Sequence, residues 1–476
     1  MRRFLRIFGI AGLAATLSAC GGGVGLNLPI NPAISNASEQ GNWDPDFAIG
    51  DNTIIGLSFS GGGMRAAAFA QGVLLGLDEK DVPGSGPRRR LTDSVDFIAG
   101  VSGGSIPAAW FGLRGREGLA SFRSRFLLRN AEEGFDTEVS IGNVVRILTD
   151  GGVNDASKFP RWLDDNLFEG ATFNDLFKRK KPIVWISASD IYNRVPFTFE
   201  PLTFSAICGD LGRTRISEAV AASAAVPGVF TPLNVENFGS SCGSRLPKWM
   251  QRSLADTNTS QMLRASAQAL NRLRGDPQTF RYIKLLDGGL TDNLGVQPVS
   301  IMRANRDRAY APLSAEQGAR GRRLLFLAVD SGRGPAGNWT SQLASPGTFA
   351  LASAVTDAAI DSGAYKGYDY FLAVMKEWER DLRNWRCSLS AAEVGKLRGT
   401  TAGWNCRDVD FYVGRVSFDD LGPSRGNLDN IETSFKLPAA TIDQLVAGGR
   451  NALNNNQVFR TFMSARAQSQ TAIARR

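Results

Sequence analysis

The residues of this chain whose types and spacing could do covalent chemistry fall in three glycine-rich stretches. The first is Gly100-Val101-Ser102-Gly103-Gly104, which follows a short apolar run and precedes a helix-compatible segment over 106–113. That is the pattern of a nucleophile elbow, a sharp strand-to-helix turn that lifts a serine hydroxyl clear of a sheet. The glycines suit backbone that is strained and crowded around the nucleophile. The chain has no histidine, so a Ser-His-Asp triad, a histidine base and a histidine-ligated metal are all excluded. If Ser102 is a nucleophile, some other side chain must then take its proton. Asp287, in Asp287-Gly288-Gly289 after an apolar strand over 282–286, is the candidate base, with Asp190 and Asp330 as rivals. The bland readings are a glycine turn that contains a serine, and an aspartate that caps or fixes a turn.

The third stretch is Ser60-Gly61-Gly62-Gly63-Met64-Arg65, set between a strand over 52–59 and an alanine-rich helix over 66–77. A strand, a glycine loop and a helix N-terminus point several backbone N–H groups one way, backed by the positive end of the helix dipole. Such a loop binds an anion, either a phosphate or the oxyanion of a tetrahedral intermediate. The Gly-Lys-Ser/Thr of a phosphate loop and the Gly-x-Gly-x-x-Gly of a dinucleotide site are both missing here, which favours the oxyanion. Arg65 adds fixed positive charge or braces the loop.

The elements that must hold these groups read as alternating strands and helices, an α/β pattern. Further strands are expected over 182–189, 197–204 and 324–329, and amphipathic helices over 119–129 and 160–168. A helix of small residues over 216–225 is expected to pack closely, and 290–302 is read as helical. From about residue 332 the character changes, with helices expected over 349–360, 370–385 and 441–452 and a strand over 410–416. Tyr365, Tyr368, Tyr370, Trp378 and Trp385 belong to this region and read chiefly as core, with an acyl pocket or lipid contact as the alternative.

With 476 residues, 43% hydrophobic, the chain can hold one large α/β domain or two ordinary ones. No internal apolar run approaches the roughly 18–20 residues of a membrane span. The net charge of +8 is spread without a nucleic-acid motif, so a mildly basic solvated surface is expected and no nucleic-acid partner. Arg2, Arg3 and Arg6 before the apolar stretch 7–17 read as an export signal, with a plain secretory signal or a short buried helix as the alternative to a lipoprotein signal. Leu17-Ser18-Ala19-Cys20 resembles the bacterial lipobox, which implies cleavage before Cys20, its lipidation and tethering to a membrane. Outer-membrane anchorage facing the periplasm is favoured, since Gly21 rather than aspartate follows the cysteine. Residues 20–46 read as a flexible tether. The four remaining cysteines allow two disulfides; pairing of sequence neighbours, Cys208 with Cys242 and Cys387 with Cys406, is one of three connectivities, and reduced buried cysteines are the alternative.

Taken in order, the three glycine stretches resemble the patatin-like phospholipase family. Residues 219–230, Ala-Val-Ala-Ala-Ser-Ala-Ala-Val-Pro-Gly-Val-Phe, are similar to the family's serine/alanine helix. The resemblance covers about 52–330. It departs at the loop ends, where Ser60 and Ala66 stand in place of aspartate and glycine. It implies a three-layer α/β/α hydrolase over 47–335, after a signal at 1–19 and the tether at 20–46. A mainly helical region over 336–476 would pack on or cover that domain. It implies a Ser102–Asp287 dyad and an oxyanion hole of Gly61, Gly62 and Gly63. Met64, Arg65, Gly100, Gly103, Gly104, Gly288 and Gly289 would support the loop and turns. The activity implied is hydrolysis of phospholipid or lysophospholipid acyl esters, without cofactor or metal. A broader esterase, an acyltransferase, a non-catalytic lipid-binding lipoprotein and a nucleotide-binding protein are the rival readings.

Overall fold

Strand β1 (Thr53–Phe59) is buried along its whole length, as expected of a strand covered on both faces. The computed structural model describes residues 27–34, 53–81, 90–133, 152–154, 157–239, 248–305, 308–334, 339–341 and 343–464. The other strands are β2 (Val95–Val101), β3 (Gly152–Asn154), β4 (Ile183–Asp190), β5 (Val195–Phe199), β6 (Gly228–Phe230), β7 (Leu233–Glu236), β8 (Tyr282–Leu286), β9 (Arg323–Asp330) and β10 (Asp410–Ser417). Eight of them form one sheet in the order β10-β9-β1-β2-β4-β8-β7, with β5 beside β4; β3 and β6 pair separately. Strands β10, β9, β1, β2 and β4 are mutually parallel, whereas β5 and β8 run antiparallel to β4.

The period-2 alternation of these strands builds two layers. Ile55, Leu57, Phe59, Leu325, Leu327 and Val329 face one core; Ile54, Leu324, Phe326 and Ala328 face the other. The first core is closed by helices α1 (Gly63–Asp78), α2 (Ser105–Arg114) and α3 (Ile216–Ser223). The second takes Leu294, Val296 and Val299, which follow the short helix α4 (Gly289–Asp292), and the long helix α5 (Thr348–Ser388) through Phe371, Met375, Trp378 and Leu382. Helix α6 (Ala439–Asn455) joins the first core. It crosses α1 backbone to backbone: a Cβ on Gly72 would stand 2.1 Å from Val446 O, and one on Gly449 2.1 Å from Phe69 O. The result is a three-layer α/β/α fold. The region beyond 335 supplies its edge strand β10 and helices to both layers. None of the described helices is long and apolar enough to cross a membrane.

Several elements differ from expectation for visible reasons. The two helices expected over 349–360 and 370–385 are one, α5. Gly363 and Gly367 lower helix propensity, but buried Ala364 and Phe371 pin that stretch to the sheet. The strand expected over 197–204 ends at Phe199, because Pro201 opens a helix, Pro201–Ile207, at a position where its missing N–H is harmless. The helix expected over 290–302 is broken after α4, where Gly295 takes φ 65°. Buried Asp292 caps the next helix, Gln297–Asn305, accepting the Gln297 N–H at 2.9 Å. Of the C-terminal aromatics, Trp378 is fully buried and meets Phe411, Trp385 meets Tyr310, and Tyr365 is exposed.

Within the expected tether, residues 27–34 lie along the edge strand β7. Ile30 N–H donates to Asn234 O at 2.9 Å, and Glu236 N–H to Asn31 Oδ1 at 2.7 Å. Cys20, the signal stretch and Cys242 lie outside the described residues. Cys387 and Cys406 form a disulfide, with Cα atoms 4.8 Å apart. Cys208 is disulfide-bonded too, to a partner outside the described residues.

Candidate active site

The apolar strand β2 ends at Val101, and the chain then turns so sharply that Ser102 takes φ 50°. Left-handed backbone at a non-glycine residue costs on the order of 1–3 kcal/mol and persists only where its surroundings enforce it. Three contacts do so here. Ser102 N–H donates to Ser223 Oγ at 2.8 Å, and that hydroxyl donates onward to Ser187 O at 2.6 Å. Ser105 Oγ donates back to Ser102 O at 2.6 Å. The glycines of the turn admit the neighbouring loop: a Cβ on Gly103 would lie 2.0 Å from Gly63 O, and one on Gly104 2.4 Å from Ser60 O. A Cβ on Gly100 would strike Ser105 Cα at 2.5 Å.

Asp287 reaches this serine by a route that a purely parallel sheet does not offer. Strand β8 pairs with β4 only at Ser189–Leu286 and Asp190–Leu285, running antiparallel. It therefore enters from beyond the C-terminal ends of the parallel strands, and its own end points inward, towards the end of β2. Ser102 Oγ donates to Asp287 Oδ2 at 2.6 Å, and Gly289 N–H donates to Oδ1 at 2.8 Å. The backbone of Asp287 is held by Ala225 O and by the Ser189 hydroxyl, each at 2.8 Å. Gly288 is required by close approach, since a Cβ there would lie 2.1 Å from Ser187 O. Burial pushes the Asp287 carboxyl up to about 6, against the opposing pull of the Ser102 hydroxyl and the Gly289 N–H. An ordinary carboxylate is a feeble base; this one is strengthened by desolvation.

The glycine loop stands beside the elbow, because β1 and β2 are neighbours and both end at this edge. Gly62 has φ 136° and Gly63 φ 57°, conformations open to glycine at little steric cost. Gly61 differs from its two neighbours in the loop. Its N–H is committed to Asn293, donating to the main-chain O at 3.1 Å and to Oδ1 at 3.2 Å. Among the described residues, neither the Gly62 nor the Gly63 N–H has an acceptor. Both stand at the N-terminal end of α1, where the helix dipole favours negative charge. The buried Met64 donates its N–H to Ser434 O at 2.8 Å. Arg65 is buried, donates from Nε to Ser331 O at 2.9 Å and bonds Ile431 O through Nη1. Burial, with Arg333 second, lowers its guanidinium to about 10, so it remains charged at neutral pH. Ser60, where the family pattern has aspartate, accepts the Ser331 N–H at 2.9 Å and ties the loop to the end of β9.

The rival bases are occupied elsewhere. Asp190 accepts Asn193 Nδ2 at 2.7 Å and the N–H groups of Tyr192 and Asn193, closing its own turn. Asp330 pairs with Arg415 at 3.1 Å and accepts the Gly332 N–H at 2.8 Å. Asn293, Ser223, Ser331 and residues 431–435 were not singled out from sequence as site residues. Only Ser223 carried a local signal, as a hydroxyl in an otherwise alanine-rich helix.

Residues 57–300, just over half of the chain, match the family model described as Patatin-like phospholipase. No curated protein matches the chain. Among solved structures, human GIVD cytosolic phospholipase A2 matches at 15% identity with a TM-score of 0.30, over 58% of this chain and 42% of its own length. This chain thus spans less than half of that protein. On the family match, with the α/β/α layers and the three glycine stretches it encloses, the chain belongs to the patatin-like phospholipase family.

Proposed function

We propose that this lipid acyl hydrolase cleaves acyl esters of phospholipids or lysophospholipids with Ser102 as nucleophile and Asp287 as its base. The observation that carries this reading is the 2.6 Å hydrogen bond from the Ser102 hydroxyl to a buried carboxylate whose pKa burial has raised. As Oγ attacks the ester carbonyl, its proton passes to Asp287 Oδ2 and the carbonyl oxygen becomes an oxyanion. The free N–H groups of Gly62 and Gly63, at the N-terminus of α1, receive that oxyanion. Asp287 then returns the proton to the departing alcohol. Water, deprotonated by the same carboxylate, attacks the acyl-serine; Asp287 hands that proton to the departing Ser102 Oγ as the fatty acid is released. Since no histidine swings between the two steps, the dyad depends on positioning. The strained Ser102 and the hydroxyl relay through Ser223 support that dependence. A lipidated Cys20 holding the enzyme at the periplasmic face of an outer membrane belongs to the same proposal and rests on the N-terminal sequence.

A fluorophosphonate probe tests the assignment whatever the natural lipid. Wild type is expected to label, and Ser102→Ala and Asp287→Asn to lose labelling while remaining folded. Labelling that survives in folded Asp287→Asn at the wild-type rate would refute the base. Fatty-acid release from phosphatidylcholine and lysophosphatidylcholine vesicles, with and without an added alcohol, then separates hydrolysis from acyl transfer.

A further inference from the structure

We infer that the glycine loop is clamped from two sides, by Asn293 and by the C-terminal strap of residues 431–435, and that this clamp aims the Gly62 and Gly63 N–H groups. The inference rests on the hydrolase reading and adds positioning residues to it. Three consecutive glycines lose more conformational entropy on ordering than any other tripeptide, so something outside the loop must hold it.

On one side, Asn293 follows directly on α4, the short helix that begins two residues after Asp287. Its main-chain and side-chain oxygens both accept the Gly61 N–H, at 3.1 and 3.2 Å. A Cβ on Gly61 would meet Asn293 Oδ1 at 2.6 Å and Ser102 Cβ at 3.3 Å, so this contact lies against the nucleophile. Asn293 thereby sets the loop in register with the element that carries the base.

On the other side, Ser434 O accepts the Met64 N–H at 2.8 Å and would stand 2.5 Å from a Cβ on Gly63. Arg65 bonds Ile431 O in the same strap. The strap itself is held by Glu132, whose Oε1 accepts the Phe435 N–H at 2.7 Å, and by Phe435 O, which accepts the Ala131 N–H at 3.3 Å. The buried Phe435 ring packs 5.2 Å from that of Phe159. Met64 N–H is one of the orphan donors of the first turn of α1. With that donor engaged by the strap and the Gly61 N–H by Asn293, the Gly62 and Gly63 N–H groups of the loop are left to face an oxyanion. The strap lies outside the 57–300 match, so the family pattern does not supply it.

The test is steady-state hydrolysis of a soluble p-nitrophenyl butyrate by wild type, Asn293→Ala, Glu132→Ala, Phe435→Ala and the conservative Phe435→Leu. Loss of one oxyanion donor lowers kcat by about 100- to 1,000-fold. Misaiming two without removing them is expected to lower kcat roughly 10- to 100-fold in Asn293→Ala and Phe435→Ala. KM should stay within about twofold, the acid limb of the pH profile should remain near 6, and Phe435→Leu should recover most of the rate. Glu132→Ala removes the acceptor of the Phe435 N–H at a half-buried position and should show a smaller fall of the same kind, so the inference survives a poorly folding Phe435→Ala. Wild-type kcat in both Asn293→Ala and Glu132→Ala would overturn it, as would a loss confined to KM or a displaced acid limb. If wild type itself fails to label at Ser102, the hydrolase reading falls and the clamp with it. If wild type labels and the variants match it, the clamp alone is wrong.

Discussion

Asp287 and Asp330 stand at the ends of two strands of one sheet, both buried, yet they are different chemical objects. Asp330 ends the parallel strand β9, faces the Arg415 guanidinium at 3.1 Å and closes a turn onto Gly332. Asp287 directly follows the antiparallel strand β8, has no cation among its hydrogen-bond or charge partners, and faces a hydroxyl. A counter-charge satisfies the first; the second is left desolvated, and desolvation is what makes a carboxylate basic. Strand direction separates them: a strand entering from outside the sheet's functional edge carries its last residue inward, where the elbow already is.

The comparison breaks most decisively in the activity of paired variants. Ser102→Ala and Asp287→Asn should each lower kcat/KM by about 1,000-fold or more. Asp330→Asn and Asp190→Asn should stay within about threefold of wild type, since their carboxylates serve turns. Equal losses at positions 287 and 330 would erase the distinction.

The pH profile sharpens it further. Only ionised Asp287 can take the serine proton, so kcat/KM should rise tenfold per pH unit below about 6 and level off above it. Asp330→Asn should leave that limb in place. A limb near 4 would mean that burial does not raise the working carboxylate.

Stability is expected to move in the opposite sense, by a smaller amount. The folded pKa of Asp287 lies above the ordinary carboxyl value. Between roughly pH 4 and 6 the native state therefore holds a proton that the unfolded chain has released. Stability falls as pH rises through that window and stays lower above it. Asp287→Asn should thus be more stable than wild type at pH 8, by at most about 2–3 kcal/mol, and the difference should vanish below about pH 4. Asp330→Asn, which removes the nearer of the two carboxylate partners of Arg415, should lose stability at pH 8. Thermal unfolding of both variants at pH 8 and pH 4 decides the signs.

The chemistry of the site was legible because each group sits in a short local pattern. A serine in Gly100–Gly104, an aspartate before Gly288 and Gly289, and the absence of histidine point to one reaction class without reference to distant residues. The layers were legible for a related reason: alternation in β1 and β9, and small residues along α1 and α3, record which faces are buried. Errors came where long-range packing overrides a local signal, as in the glycine-interrupted α5, or where a capping carboxylate such as Asp292 resets the chain.

By itself, then, the sequence pointed to a candidate nucleophile, a candidate base, a candidate anion loop and the α/β layering, since all of these are written in neighbouring residues. Tertiary structure alone decided that β8 runs antiparallel, that Gly61 is spent on Asn293, and that a C-terminal strap holds Met64 and Arg65. These contacts join residues 185, 232 and 366 positions apart for the dyad, the Asn293 contact and the Arg65 strap bond. A backbone carbonyl or an asparagine has no local pattern that names its partner; only the packed sheet, by fixing which strand ends meet, chooses it.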